Sequence, residues 1–449
     1  RRFFIISARL PSESWQENTM RKIVFGFCAL TVATWLLNLG FNPPAMNGRS
    51  LTHEVFFLNG VLAWGLMAMA IVIAARPAWL EKVTATPLDE LYKWHRTLGI
   101  WAAVLTLFHF FTKDVMRPVL SLFTLEPVPK IVRGELTGFD AFWAWMRGFA
   151  VESSEWATLL GLVLFVVSFI SIVRYHKWLS SHKLFSVLFL ILAVHCIRLT
   201  ETEDFLTPFG LINVAVTVIG CYYSLKLLIR GAGREKSVSA EIVDANTNNG
   251  LTLITVKPEK PVDIRYGEFA FLGTSGHEKH PFSVAGINDD GTLTFAVKAL
   301  GDYTRDVVPM LQKGERVIVE GPWGRFRPDF SAQKQLWLAG GVGIAPFCAW
   351  MQDAAKTAHG KIRLVWCIKS KESEPMFANV EMMAERAGIR LEVFESAKKR
   401  LNAESLFAGA VPDTVALCAG EGLASAVSRA YVEAGGNADR VRKEHFNWR

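Results

Sequence analysis

Six apolar segments crowd into the first 230 residues, at about 23–39, 55–75, 98–111, 157–173, 184–197 and 209–228. A helix needs ~20 apolar residues to cross the hydrocarbon core of a bilayer. Only helices and closed barrels keep their backbone hydrogen bonds satisfied there. The third and fifth segments reach that length when extended back over 93–97 and 181–183. The first half of the chain is therefore expected to be a six-helix transmembrane bundle, over residues 20–230.

Those two extended segments carry the informative residues. The third holds His95 and His109, and the fifth holds His182 and His195. At ~1.5 Å rise per residue, the first pair lies roughly 21 Å apart along its helix and the second roughly 20 Å, so the pairs sit at matching depths. A lone histidine in an apolar helix is often only a packed core residue. Ionisable groups inside a membrane are costly, however, and by default mark ion, proton or cofactor sites. Four of them, matched in depth on two helices, can clamp two haems, one above the other. One spacing is awkward: at about 100° per residue, fourteen positions return to within about 40° of the same face, whereas thirteen miss it by about 140°. The helix bearing His182 is therefore expected to be distorted, or His182 to lie in its first, loosely wound turn.

Basic residues cluster before the first segment (Arg21, Lys22), between the second and third (Arg76, Lys82, Lys93, Arg96), between the fourth and fifth (Arg174, Lys177, Lys183) and after the sixth (Lys226, Arg230, Arg234, Lys236). The positive-inside rule makes these faces cytoplasmic. The acidic loop with Glu201, Glu203 and Asp204 then falls outside. Within the long loop 113–155, the run FDAFWAWMRGFAV reads as an interfacial amphipathic piece. Residues 1–19 read as an amphipathic lead, and no cleavable signal peptide is expected because further spans follow the first. Cys28, Cys196, Cys221, Cys348, Cys367 and Cys418 are scattered without a CxxC. That spacing excludes a disulfide scaffold and iron–sulfur clusters, leaving haem to carry single electrons.

After Gly231 the pattern changes to short β-type runs: SVSAEIVDA, LTLITVKP, EFAFLGT, HPFSVAG, LTFAVKAL and ERVIVEG. Six such strands predict a small antiparallel β-barrel over 235–330. From Lys334 the order becomes strand, glycine turn, helix, which predicts a doubly wound α/β domain over 331–449. The turn Gly340-Gly341-Val342-Gly343-Ile344-Ala345-Pro346 follows a strand and opens a helix, where a pyrophosphate can approach glycine backbone and a helix N-terminus. Lys369 and Lys371, past the second strand of this sheet, stand where a ribose phosphate would be read. They leave NADPH and NADH both open.

The chain from about residue 20 onward resembles the NADPH oxidase and ferric reductase superfamily, in which a six-helix bis-haem domain is fused to a ferredoxin-reductase-like module for FAD and nicotinamide. His95 and His109 match the third-helix pair of that superfamily, and His182 and His195 the fifth-helix pair. The resemblance implies two b-type haems, with His95 and His182 at the inner one and His109 and His195 at the outer. His280-Pro281-Phe282-Ser283 resembles the flavin motif. It implies Phe282 against the isoalloxazine, Ser283 near its reactive nitrogen and His280 facing the pyrophosphate. Lys298 and the turn Gly301-Asp302-Tyr303-Thr304 resemble the second pyrophosphate contact. Gly340, Gly341, Gly343 and Pro346 match the nicotinamide-nucleotide turn. Cys418-Ala419-Gly420 resembles the Cys-Gly element beside the nicotinamide, with alanine in place of glycine. Glu444-His445-Phe446 resembles the terminal carboxylate and aromatic over the flavin, with Trp448 as the alternative stacking ring.

The order of electron carriers follows from their electron counts. Nicotinamide gives two electrons at once and a six-coordinate haem takes one, so flavin stands between them. With both axial positions filled, neither iron is open, and the acceptor meets the outer haem edge. Phe189, roughly midway between His182 and His195, is placed either to bridge the haems or only to pack. The expected activity is NAD(P)H oxidation with oxygen as acceptor and superoxide as product. Reduction of ferric or cupric chelates is the alternative, and a membrane electron-transfer subunit serving a partner protein is a third. Arg49, His53 and Arg198 are candidates to hold haem propionates or attract an anionic acceptor. Neither nucleic acid nor an obligatory protein partner is expected. The bacterial inner membrane, with the FAD and nucleotide module cytoplasmic, is the expected location.

Overall fold

The computed structural model describes residues 16–122, 137–170, 175–200, 204–274, 277–357 and 360–444. The chain divides into two compact units, one built from residues 19–86 and 91–234, the other centred on residues 235–449.

The first unit is helical: α1 (Gln16–Phe41), α2 (Gly48–Ala75), a short α3 (Leu80–Thr84), α4 (Leu88–Ser121), α5 (Gly138–Val167), α6 (Tyr175–His182), α7 (Leu184–Leu199) and α8 (Pro208–Arg230). Among the described residues, five stretches are long and apolar enough to cross a membrane: Thr19–Phe41, Gly48–Ala75, Ala141–Val167, Lys177–Leu199 and Pro208–Arg230. A sixth, Leu88–Thr112, bends by 55° into Asp114–Ser121. Local chemistry fixes the helix starts. Asn47 caps α2 by accepting from the backbone N–H groups of Arg49 and Ser50, at 3.1 and 2.9 Å. Thr207 caps α8 ahead of Pro208, whose ring pre-sets the first helical turn.

Two features differ from, or sharpen, the sequence reading. The run FDAFWAWMRGFAV is the first half of α5 and continuous with the fourth span. With only Asp140 and Arg147 ionisable, the run is apolar enough to continue into the membrane span. In the fifth span, α6 ends at His182, Lys183 forms a turn and α7 restarts at Leu184. Lys183 keeps helical dihedrals, φ −61° and ψ −22°, so the interruption is a local distortion within one span, of the kind the thirteen-residue step leads one to expect.

Trp64 and Phe189, each 2% exposed, stack in the bundle core with ring centroids 3.8 Å apart and planes 7° apart. Phe189 fits because α8 has Gly220 opposite, where a Cβ would stand 2.1 Å from the ring. Trp64 Nε1 donates to Thr217 Oγ1 at 2.9 Å, so its one polar atom is satisfied.

The second unit opens with a closed barrel of β1 (Ser237–Asn248), β2 (Leu251–Pro258), β3 (Phe269–Thr274), β4 (His280–Ile287), β5 (Leu293–Lys298) and β6 (Arg316–Trp323). Its strand order is β1-β2-β5-β4-β3-β6, antiparallel throughout. Asn249 and Gly250, both with positive φ, make the tight β1–β2 turn that matches strand twist. Ile242, Ile254, Val256, Leu272, Val284, Phe295 and Val319 are fully buried inside.

A parallel sheet follows, from β7 (Lys334–Gly340), α9 (Ala345–Thr357), β8 (Lys361–Ile368), α10 (Phe377–Arg386), β9 (Arg390–Glu395), β10 (Thr414–Cys418), α11 (Glu421–Glu433) and β11 (Val441–Lys443), in the order β11-β10-β7-β8-β9. The chain leaves β7 toward β8 on one side and returns to β10 on the other. The order thus reverses between β7 and β10, and the crevice beyond their carboxyl ends is where such sheets bind ligands. Strand β11 was not expected from the sequence, because three residues with one valine carry no strand period.

Candidate functional site

Four histidines of the helical unit meet in two facing pairs. His95 of α4 and His182 at the end of α6 have ring centroids 5.9 Å apart, with planes crossing at 63°. His109 of α4 and His195 of α7 stand 6.4 Å apart at 78°. Metal–imidazole bonds of about 2.0–2.1 Å, with about 1 Å more from nitrogen to ring centre, put the centroids of two trans ligands about 6 Å apart. Both gaps suit one metal between two rings.

The far nitrogens agree with that geometry. Nδ1 of His95 lies 2.9 Å from the Ala70 carbonyl, Nδ1 of His109 3.1 Å from that of Phe56, and Nδ1 of His195 3.3 Å from that of Ala150. A carbonyl only accepts, so each Nδ1 carries the proton and each Nε2 the lone pair. His182 reaches the same state by another route. Its Nδ1 lies 3.2 Å from Ser168 Oγ, and that hydroxyl already gives its proton to the Leu164 carbonyl at 2.7 Å. Such outer partners fix the tautomer and orientation of metal-binding histidines. Sequence reasoning missed Ser168 and Trp178, since no periodicity links either to His182.

The outward candidates are less convergent. Arg198 donates through Nε and Nη2 to the Trp143 carbonyl at 2.9 and 2.6 Å, and its guanidinium lies 4.4 Å from the centre of that ring. Arg49 sits in the first turn of α2, and His53 is tilted against Phe57 at 6.1 Å. Asp204 accepts from Asn38 Nδ2 at 3.1 Å, while Glu201 and Glu203 lie outside the described residues.

In the barrel, the flavin-like motif forms the start of β4. His280 stacks on Tyr303 at 4.1 Å and 19°, with Glu278 Oε1 3.3 Å from its Nε2. Burial pushes the His280 imidazole below its ordinary pKa, against the pull of the Glu278 carboxylate. Pro281 and Phe282 pair with Phe271 and Ala270 of β3 and are half-buried. Ser283 is buried, and its Oγ has no hydrogen-bond partner among the described residues. A buried unpaired hydroxyl costs about 1–3 kcal/mol, so this position fits a ligand that supplies a polar atom. Thr304 Oγ1 instead closes on its own turn, accepting from Leu300 and Gly301 N–H at 3.0 and 2.9 Å. Lys298, at the end of β5, leans over the glycine turn, with Nζ 3.7 Å from where a Cβ on Gly341 would stand.

The glycine turn separates two jobs. Gly341 has φ +54° with open space around it, apart from Lys298. A Cβ on Gly343 would stand 2.1 Å from the Cys418 carbonyl oxygen, and one on Gly340 would stand 3.0 Å from Ala419 Cβ. Gly340 and Gly343 thus let the turn pack against the end of β10, and Gly341 alone has its α-carbon facing open space. The close fit at Gly340 also accommodates the methyl of Ala419, where the family pattern has glycine. Pro346 is buried in the first turn of α9, where its missing N–H costs nothing.

Cys418 is fully buried, and burial pushes its thiol well above the ordinary range. The buried Glu444 donates its backbone N–H to the Leu417 carbonyl at 2.9 Å, and burial raises its carboxyl well above the usual carboxylate range. Lys369 and Lys371 are exposed at the end of β8, with Lys371 Nζ 5.1 Å from the centre of the Phe377 ring. His445, Phe446 and Trp448 lie outside the described residues.

Residues 59–193, which hold all four histidines except His195, match the family described as ferric reductase like transmembrane component. The match fits the NADPH oxidase and ferric reductase superfamily. It is 23% identical over 329 residues to respiratory burst oxidase homolog protein D of Arabidopsis thaliana, covering 62% of this chain and 35% of that one. It is 24% identical over 369 residues to ferric reduction oxidase 7, chloroplastic, of the same plant, covering 74% and 45%. The chain thus spans between a third and a half of these relatives. A flavohemoglobin structure from Malassezia yamatoensis aligns over 87% of this chain and 96% of that one, at 12% identity and a TM-score of 0.46. The match to a transmembrane component, together with the apolar helices, supports an integral membrane protein.

Proposed function

We propose that this protein is a transmembrane NAD(P)H oxidoreductase that moves electrons from a cytoplasmic nicotinamide, through FAD and two bis-histidine haems, to an acceptor on the outer face. The observation that carries the reading is the pair of facing histidine couples, each at one metal's width, with all four Nδ1 atoms engaged elsewhere. His95 and His182 would hold the inner haem, and His109 and His195 the outer. When bound, the flavin supplies the conversion from a two-electron donor to one-electron carriers, and the haems supply outer-sphere transfer.

The chain's own residues bind, orient and exclude water. Phe282 and Ser283 would face the flavin ring, and His280 its pyrophosphate. Gly341, with Lys298 above it, would receive the nucleotide pyrophosphate, and Lys369 the ribose phosphate. Cys418 and Glu444 would flank the nicotinamide, where burial favours the uncharged form of each. Phe446 would cover the flavin. Basic clusters at the helix ends support a cytoplasmic nucleotide module, and the bacterial inner membrane is the location proposed.

The preferred acceptor is oxygen, giving superoxide. The similarity to a ferric reduction oxidase supports chelate reduction as the second reading. The deciding measurement on the haems is a pyridine haemochrome assay on purified full-length protein. Two haems per chain are expected, and none in folded protein would sink the proposal. Cytochrome c reduction abolished by superoxide dismutase supports oxygen, whereas turnover that appears only with ferric chelate supports the second reading.

A further inference from the structure

Three of the four histidines have main-chain oxygens as Nδ1 partners, whereas His182, the last residue of α6, has a side-chain hydroxyl. Ser168, the C-terminal cap of α5, supplies it. Its Oγ accepts from His182 Nδ1 at 3.2 Å because its only proton goes to Leu164 O at 2.7 Å. Its carbonyl accepts from Trp178 Nε1 at 3.2 Å, and the Trp178 ring lies on His182 at 5.0 Å and 16°. Phe185 closes another side, edge-on at 5.1 Å.

We infer that Ser168 is a positioning residue that sets the orientation and electron-donating strength of His182, and so tunes one haem independently of the other. The inference rests on the haem reading above. An acceptor at Nδ1 raises the basicity of the ligating nitrogen, which favours ferric iron. Removing it makes His182 a poorer donor and raises the potential of the His95–His182 haem. The Trp178 hydrogen bond holds the Ser168 backbone in place, so losing that bond loosens the same ring by a smaller amount.

Losing the hydrogen-bond partner of a metal-bound histidine commonly costs about 10–100-fold in metal affinity or activity. On the lower figure, Ser168→Ala shifts the ferric–ferrous equilibrium of one haem about tenfold, about 59 mV for one electron. The test is a spectroelectrochemical titration with EPR on full-length haem-loaded protein. The step that disappears in His182→Ala identifies the haem concerned. Ser168→Ala should raise that step alone, or cost that haem alone, and change its low-spin signal. Ser168→Thr should restore both, and Trp178→Phe should move the same step by less. Unchanged potentials and signals in Ser168→Ala, or an equal effect on both haems, overturns the inference. Absence of haem from the unaltered protein would instead count against the haem reading.

Discussion

Replacing Gly343 by alanine tests the packing of the nucleotide turn with one methyl group. The added Cβ would lie 2.1 Å from the Cys418 carbonyl oxygen, 2.9 Å from its carbon and 3.2 Å from its sulfur. Close carbon–oxygen contacts begin near ~3.3 Å, so the start of α9 and the end of β10 must part by about 1.2 Å. Two of the three contacts are backbone, which cannot swing aside as a side chain can. Overpacking of this kind costs about 1–3 kcal/mol. A displacement of about 1 Å at reacting groups can cost about 10²-fold in rate. In NADPH-dependent dye reduction by FAD-loaded full-length protein, Gly343→Ala should lower kcat by one to two orders of magnitude. Gly341→Ala is the control. Its Cβ meets only Lys298 Nζ, at 3.7 Å, and the left-handed φ costs about 1–2 kcal/mol. That variant, or a bulkier one, should raise KM for the nucleotide with a smaller change in kcat. Wild-type kcat and unfolding midpoint in Gly343→Ala would refute the packing argument.

Three further outcomes are expected. His109→Ala or His195→Ala should remove one haem while the other, and flavin reduction by NADPH, persist; optical difference spectra count the haems. Beside an anionic pyrophosphate the imidazolium of His280 is favoured, whereas burial alone holds its pKa low, so binding takes up a proton. FAD should therefore bind more tightly as pH falls from about 8 to about 6, with His280→Gln flattening the profile; equal Kd across that range in the unaltered protein would count against the contact. Gly220→Leu should displace Phe189 from beneath Trp64 and cost about 1–3 kcal/mol, read as a lower thermal midpoint in detergent.

Much of this architecture is written in local pattern. The six barrel strands follow their alternation and turns, and the thirteen-residue step from His182 to His195 foretells a break that falls at Lys183. Elements that depend on tertiary partners were not legible. Nothing near Ser168 marks it as a partner of His182, because a C-terminal helix cap and a hydrogen-bond acceptor look alike in one dimension. Phe189 shows its depth in the helix, but its stacking partner Trp64 is 125 positions away, on another span. The glycine turn was readable as a turn, whereas the division of labour among Gly340, Gly341 and Gly343 needed β10 in place. The sequence alone makes the first half of α5 look interfacial, because a tryptophan-rich stretch resembles one until the continuous helix is in place.

The main-chain oxygens of Phe56, Ala70 and Ala150 have an evolutionary corollary. A point mutation at any of these positions changes a side chain and leaves the oxygen where the helix puts it, so three of the four anchors are nearly immune to drift. Heritable variation in this layer is funnelled to position 168, the one anchor a codon change can erase, lengthen or recharge. A lineage adapting its electron flow to a new acceptor would find that single serine the most accessible dial.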